Sequence, residues 1–209
     1  MSPSLLLGGL VAGFLHVLMG PDHLAAVAPS AALRGRDAWL SGLRWGIGHS
    51  SGVLMVGIAL VLLRQMEDVS KYAWLGERFV GVALIGIGIW GFRVLQNTRT
   101  TSVLASSHHH QNAERTALGV GILHGLAGGS HLFGVIPALA LPSVELSAIW
   151  LLLFGAGTVV AMMTFTGILG IIVHQMAQRI DTLYRQALAV CSLLAIGIGL
   201  WWLIVGGIG

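Results

Sequence analysis

The residues of this sequence that could do chemistry are five histidines and one carboxylate, all set within long apolar stretches. They are His16, Asp22, His23, His49, His124 and His131. Neutral imidazole and carboxylate together suit borderline divalent ions such as nickel, cobalt, zinc and iron. The sequence therefore predicts a transition-metal site formed from these six side chains.

The carboxylate of Asp22 is the strongest single signal. With Arg44, Arg78 and Arg93 counted among the loops, we interpret Asp22 as the only charged residue at depth. An ionised group inside a bilayer is costly unless it is paired, so its presence favours a functional role. Proton relay is the competing role for the same groups, and the two are compatible because metal binding releases protons from histidine.

A break in the first apolar stretch decides which histidines can meet. His16 and His23 are seven residues apart, about 10.5 Å on a straight helix. Gly20 and Pro21 lie between them, and an internal proline removes a helix hydrogen bond and kinks the chain. We therefore predict two half-helices, since non-helical backbone at depth is tolerated where it lines a cavity.

The expected arrangement places some of these side chains at the ion and others beside its path. We expect Asp22, His23 and His49 at one centre, with His131 nearby. His16 and His124 are expected one step along the path or behind the ligands, where they would orient them.

Composition fixes the broad class of the chain. Of 209 residues, 56% are hydrophobic and only 9% are charged, which excludes a soluble enzyme, a nucleic-acid-binding protein and a disordered regulator. The single cysteine, Cys191, excludes a disulfide or dithiol relay within the chain. We predict an all-α membrane protein with six transmembrane helices, since a span needs about 20 apolar residues. The six stretches are 4–33, 40–64, 74–95, 117–141, 146–175 and 186–207.

The first and fourth stretches are copies of one another. At an offset of 108 positions, 11 of the 21 residues in 13–33 match those in 121–141. The matches include His16 with His124 and His23 with His131, whereas Ser130 replaces the carboxylate. Each copy would hold three spans, an odd number, so the second must enter the membrane from the opposite side. Such inverted repeats, here with broken first and fourth helices, are typical of transporters with a site near the midplane.

The repeat also sets the expected organisation. We predict a first three-span repeat over 1–95, a cytoplasmic loop over 96–116 and a second repeat over 117–209. Eight arginines fall on one side of the predicted topology and three basic residues on the other, which places both termini outside the cytoplasm. The loop carries His108–His110, a tract of the kind that binds metals or serves as a solvated linker.

The run from His16 to His23, with Gly-Pro before Asp22, and the Gly-His-Ser run at His49 resemble the nickel/cobalt transporter superfamily. The five residues between His16 and Asp22, with Gly20 among them, are most similar to the urease and hydrogenase accessory membrane permeases. The His-bearing loop also resembles the efflux branch. The resemblance implies that His16, Asp22, His23 and His49 select the metal.

The expected function is transport of a divalent transition metal, nickel or cobalt first, by alternating access at a His/Asp site. The alternatives are a membrane accessory or scaffold protein for metalloenzyme maturation, and a small-anion exporter. We expect no enzymatic activity and no prosthetic group, with the metal as substrate. The expected partners are the lipid bilayer, the metal ion and a cytoplasmic metallochaperone, with no nucleic acid. The expected location is a bacterial inner membrane.

Overall fold

The computed structural model describes residues 3–63, 73–97, 117–126, 131–179 and 181–205. Throughout these ranges the regular structure is helical, which confirms the predicted all-α class. A short 3-10 turn, Gly35–Asp37, joins the second helix to the third. The helices are α1 (Pro3–Met19), α2 (Pro21–Arg34), α3 (Ala38–Leu63), α4 (Ala73–Asn97), α5 (Ala117–Leu126), α6 (His131–Leu139), α7 (Val144–Arg179) and α8 (Asp181–Val205).

Fewer helices are long and apolar enough to span a membrane than the sequence predicts. Three segments of the described chain are long and apolar enough to cross a bilayer alone: Arg78–Gln96, Val144–Gln175 and Arg185–Val205. A fourth candidate is the bent pair formed by Leu7–Met19 and Pro21–Ala59. Helix α5 is apolar but shorter. The protein is therefore a helical membrane protein, and the expected count of six spans is not confirmed.

The predicted break lies where Gly20 and Pro21 interrupt the first apolar stretch. Gly20 has an extended backbone, with φ −96° and ψ 96°, and caps α2, whose first residue is Pro21. Proline is favoured there because its missing N–H would have no partner in the first turn. The chain bends by 73° at this point. The bend turns α2 into the protein interior, where most of its small side chains are buried.

Three arginines that the sequence interpretation assigned to loops lie inside helices. Arg44 belongs to α3, and Arg78 and Arg93 belong to α4. The assignment of these three residues to loops was therefore wrong. Arg44 is half-buried, whereas Arg78 and Arg93 are exposed. Asp22 is consequently not the only charge within the helices, although it is buried where these three arginines are not.

The core is built on close crossings of helices. Helix α7 packs against both α1 and α3, and α4 packs along α8. At the first crossing, a side-chain carbon added at Gly13 would collide with the backbone carbonyl of Phe154. At the second, one added at Gly42 would collide with the carbonyl of Met162. Glycine permits this approach because small residues bring helix backbones together in lipid.

Two further crossings are related by the sequence repeat, in which Gly46 and Gly48 of α3 match Gly155 and Gly157 of α7 at an offset of 109 positions. On α7, Gly157 faces the backbone of Leu10 and Phe14 in α1. On α3, Gly48 faces the backbone of Leu118 and Ile122 in α5, which are the repeat equivalents of Leu10 and Phe14. The α1–α7 and α3–α5 contacts thus use corresponding residues of the two copies.

Candidate metal centre

The break brings His16 and His23 together across the bend. Their ring centroids lie 4.5 Å apart, less than half the separation that a straight helix would impose. Gly20 lies directly behind His23, since a side-chain carbon at Gly20 would collide with the His23 ring. The absence of a side chain at Gly20 is therefore what leaves room for the His23 imidazole.

The crossing of α3 with α5 adds two more imidazoles. His49 and His124 are placed by this crossing, in which Gly125 faces the backbone of His49. The ring centroids of His49 and His124 lie 5.6 Å apart, and both are close to His23, at 5.1 Å and 4.7 Å. Four imidazoles from α1, α2, α3 and α5 thus meet at one buried point.

Asp22 completes the cluster from the first turn of α2. Its Oδ2 lies 2.9 Å from Nε2 of His124, close enough for a hydrogen bond and for an ion pair when His124 is protonated. The position is favourable for a carboxylate because the N-terminus of a helix carries partial positive charge. The contact joins the first copy of the repeat to the second.

Burial is nearly complete for every member of the cluster. His23, His49 and His124 are at most 2% exposed, and His16 and Asp22 are each 7% exposed. Neither ring nitrogen of His23 makes a hydrogen bond of good geometry to the residues that the structure describes, although it has a weak contact with the backbone of His16. A buried imidazole without a good hydrogen bond is costly, so His23 is a candidate for binding a ligand through its nitrogens.

The five donors form two overlapping groups. One consists of His16, His23 and His49, and the other of Asp22, His23 and His124. Within each group all donor atoms lie within 4.8 Å of one another. Two donors opposite one another on an ion are about 4.2 Å apart, given bonds of about 2.1 Å. Small side-chain adjustments would therefore suffice to bind one ion in either group.

Trp45 forms an aromatic wall against the cluster. Its ring is stacked on His49, with centroids 4.9 Å apart and an interplanar angle of 7°. It also contacts His23 and His124, at 5.5 Å and 5.3 Å. In the other copy the counterpart of the Trp45–His124 contact is that of Phe154 with His16, at 5.2 Å. Trp45 is fully buried and limits how far three of the imidazoles can turn.

The arrangement differs in part from the sequence expectation. His23 lies close to both Asp22 and His49, but Asp22 and His49 belong to different donor groups, so the three do not form the single centre that was expected. His16 and His124, which were expected outside the centre, each belong to one of the two donor groups. The sequence reasoning missed Trp45, although its position four residues before His49 places both on one face of α3.

Two predicted elements cannot be located in the cluster. His131 is the first residue of α6, but its side chain lies outside the described residues. The His108–His110 tract also lies outside them.

Curated relatives place this helical membrane protein in a family. No family model and no solved structure matches the chain. It is 32% identical to the urease accessory protein UreH of Bacillus sp. (strain TB-90), over 80% of this chain and 77% of UreH. The fold and this likeness define the class of the chain as helical membrane proteins. More particularly, the chain belongs to the family of the urease accessory protein UreH.

Two plant proteins are similar over almost the whole chain. They are the chloroplast proteins FOR GROWTH AND FERTILITY 2 and FOR GROWTH AND FERTILITY 1 of Arabidopsis thaliana, at 34% and 33% identity. Each match covers 92% of this chain, but only 54% and 56% of the respective plant protein. The chain thus spans about half the length of these two relatives.

Proposed function

We propose that this protein carries a divalent transition-metal ion across a membrane, with nickel as the first candidate and cobalt as the second. The observation that carries the proposal is the buried meeting of four imidazoles and one carboxylate, centred on His23. Such a donor set is chemically suited to these ions and contains no thiolate that would favour Cu(I). The metal is the substrate of this function, and no reaction is catalysed.

The repeat supports transport rather than binding alone. Corresponding residues of the two copies make corresponding contacts, as Gly157 does with Leu10 and Gly48 with Leu118. These paired contacts support an inverted-repeat architecture of six spans, in which a site between the copies opens to either side in turn. The contact of Asp22 with His124 would then be one that such a movement alters.

The family supports nickel as the cargo. UreH is a urease accessory protein by name, and the motif around Asp22 and His23 resembles that of nickel/cobalt transporters. We propose a bacterial inner membrane as the location, with both termini outside the cytoplasm, and the chloroplast relatives make a plastid membrane the alternative. A cytoplasmic metallochaperone would receive or supply the ion.

The same family name favours one alternative, a membrane accessory protein that holds metal for enzyme maturation without moving it. The two functions differ in flux. Purified protein in sealed liposomes should accumulate radioactive nickel inside the vesicles, and the Asp22→Asn variant, inserted in equal amount, should not. Saturable nickel binding without any accumulation would support the accessory role and contradict transport.

A further inference from the structure

We infer that the cluster holds one ion at either of two overlapping positions that share His23, and that transport passes the ion from one to the other. This inference rests on the proposed function, since it describes how the same donors would act in it. The first position is formed by His16, His23 and His49, and the second by Asp22, His23 and His124.

The two positions differ in chemistry. The first offers three neutral nitrogens, whose rings lie 4.5 to 5.6 Å apart. The second offers two nitrogens and a carboxylate oxygen, and Asp22 and His124 are already 2.9 Å apart. An ion at the second position therefore gains a full negative charge beside it. Its entry replaces the hydrogen bond between Asp22 and His124 with bonds to the metal, and the proton of that hydrogen bond moves to Nδ1 of His124 or is released to solvent.

His23 is suited to be the shared ligand. It is 1% exposed, and neither of its ring nitrogens makes a hydrogen bond of good geometry to the described residues, its backbone contact with His16 being a weak one. Its ring can therefore follow an ion without first breaking such a bond. The ring also lies between the two groups, 4.5 Å from His16 and 4.7 Å from His124 by ring centroids.

The two positions exclude one another. They share a ligand, and the remaining donors of each lie within 4.8 Å of it. Two divalent ions this close together in a buried site would repel strongly, because little solvent screens them. Three protein ligands also leave each ion incompletely coordinated, which allows it to leave. One ion per protein, distributed over two positions, is the expected stoichiometry.

The test compares a matched pair of neutral substitutions, His49→Gln and His124→Gln. Each removes one ligand from one position and leaves Asp22 charged. When an ion can bind at only one of two positions at a time, the measured association constant is the sum of the constants for the two positions. One of the two variants should therefore keep at least half of the wild-type association constant for Co(II). The cobalt absorption spectrum should indicate nitrogen ligands alone in His124→Gln and mixed nitrogen and oxygen ligands in His49→Gln. His23→Gln should lose binding to both positions.

Flux provides the second readout. Both single variants should fail to carry Ni(II) into liposomes, because each interrupts the passage between positions. A weakening of Co(II) binding by more than about tenfold in both variants, with identical spectra, would overturn the inference in favour of a single five-donor centre. Full flux in either variant would also overturn it.

A measurement on the wild-type protein covers the case in which a variant does not fold. X-ray absorption of the bound Ni(II) should show no more than three imidazoles around the ion. Four imidazoles would overturn the inference while leaving transport intact. Failure of the wild-type protein to bind either metal would instead reject the proposed function, and the inference with it.

Discussion

The carboxylate of Asp22 and the imidazole of His124 are 102 residues apart in sequence and 2.9 Å apart in the structure. Asp22 lies at the start of α2, immediately after the break, and His124 lies in α5, which is the second copy's counterpart of α1. The pair is buried. It is therefore a direct polar link between the two copies of the repeat, within the proposed metal site.

Replacing the carboxylate tests this link. We expect Asp22→Asn to abolish metal flux, because the oxygen ligand loses its charge at a position where little water can compensate. The amide keeps the shape of the side chain and can still hydrogen-bond to His124, so the amount of inserted protein should not change. Nickel uptake into liposomes and membrane yield measure the two effects. Nickel flux at the wild-type level would show that the charge of Asp22 is not required for transport.

A methyl group at the break should disturb the cluster directly. In Gly20→Ala the new carbon would collide with the ring of His23 and lie 3.0 Å from Oδ1 of Asp22. We expect nickel affinity to fall by about tenfold or more, since the shared ligand is displaced. Isothermal titration of the purified protein measures the affinity.

The matched control for that substitution is Gly86→Ala in α4, where an added carbon meets nothing within 4 Å. This variant should bind nickel as the wild-type protein does. Equal affinities for the Gly20 and Gly86 variants would show that the position of the His23 ring does not govern binding.

The helix break could be predicted from the sequence because its cause is local. Proline at position 21 cannot donate a helix hydrogen bond, and glycine before it readily takes the extended backbone seen at the break, whereas Pro29 without a preceding glycine stays inside α2. The candidate residues were also identifiable, because histidine and carboxylate are rare in apolar stretches. These conclusions required no knowledge of how the helices pack.

The grouping of the donors could not be predicted, because it depends on two helix crossings distant in sequence. His124 approaches Asp22 only because α5 packs closely on α3 through Gly48 and Gly121. The distance from His16 to His23 depends on the size of the bend, and a proline alone does not fix that angle. The arginines were misplaced for a different reason: Arg44, Arg78 and Arg93 lie near the ends of the predicted stretches 40–64 and 74–95 and were counted with the adjoining loops, although the helices continue past them.

The α3–α5 crossing can be tested by two substitutions in one helix. A carbon added at Gly121 would collide with the carbonyl of Trp45, whereas one added at Gly119 meets nothing within 4 Å. We expect Gly121→Ala to destabilise the protein by about 1–3 kcal/mol, as overpacking does. Gly119→Ala should leave stability unchanged or slightly raise it, because alanine is the better helix former. Thermal unfolding in detergent measures both, and equal midpoints would contradict the close crossing.

Trp45 should act through its ring rather than through its N–H group. The indole stacks on His49, but its Nε1 is buried and has no acceptor within the part of the chain that the structure describes. Trp45→Phe should therefore retain most of the stacking and bind nickel within about threefold of the wild-type affinity, whereas Trp45→Leu should lose stacking worth about 0.5–1.5 kcal/mol. The loss corresponds to a Kd raised by up to about tenfold, because His49 would be free to turn from the ion. Titration of both variants with nickel tests this. Equal losses of nickel affinity in Trp45→Phe and Trp45→Leu would assign the effect to the N–H group. Unchanged affinity in Trp45→Leu would show that Trp45 does not position His49.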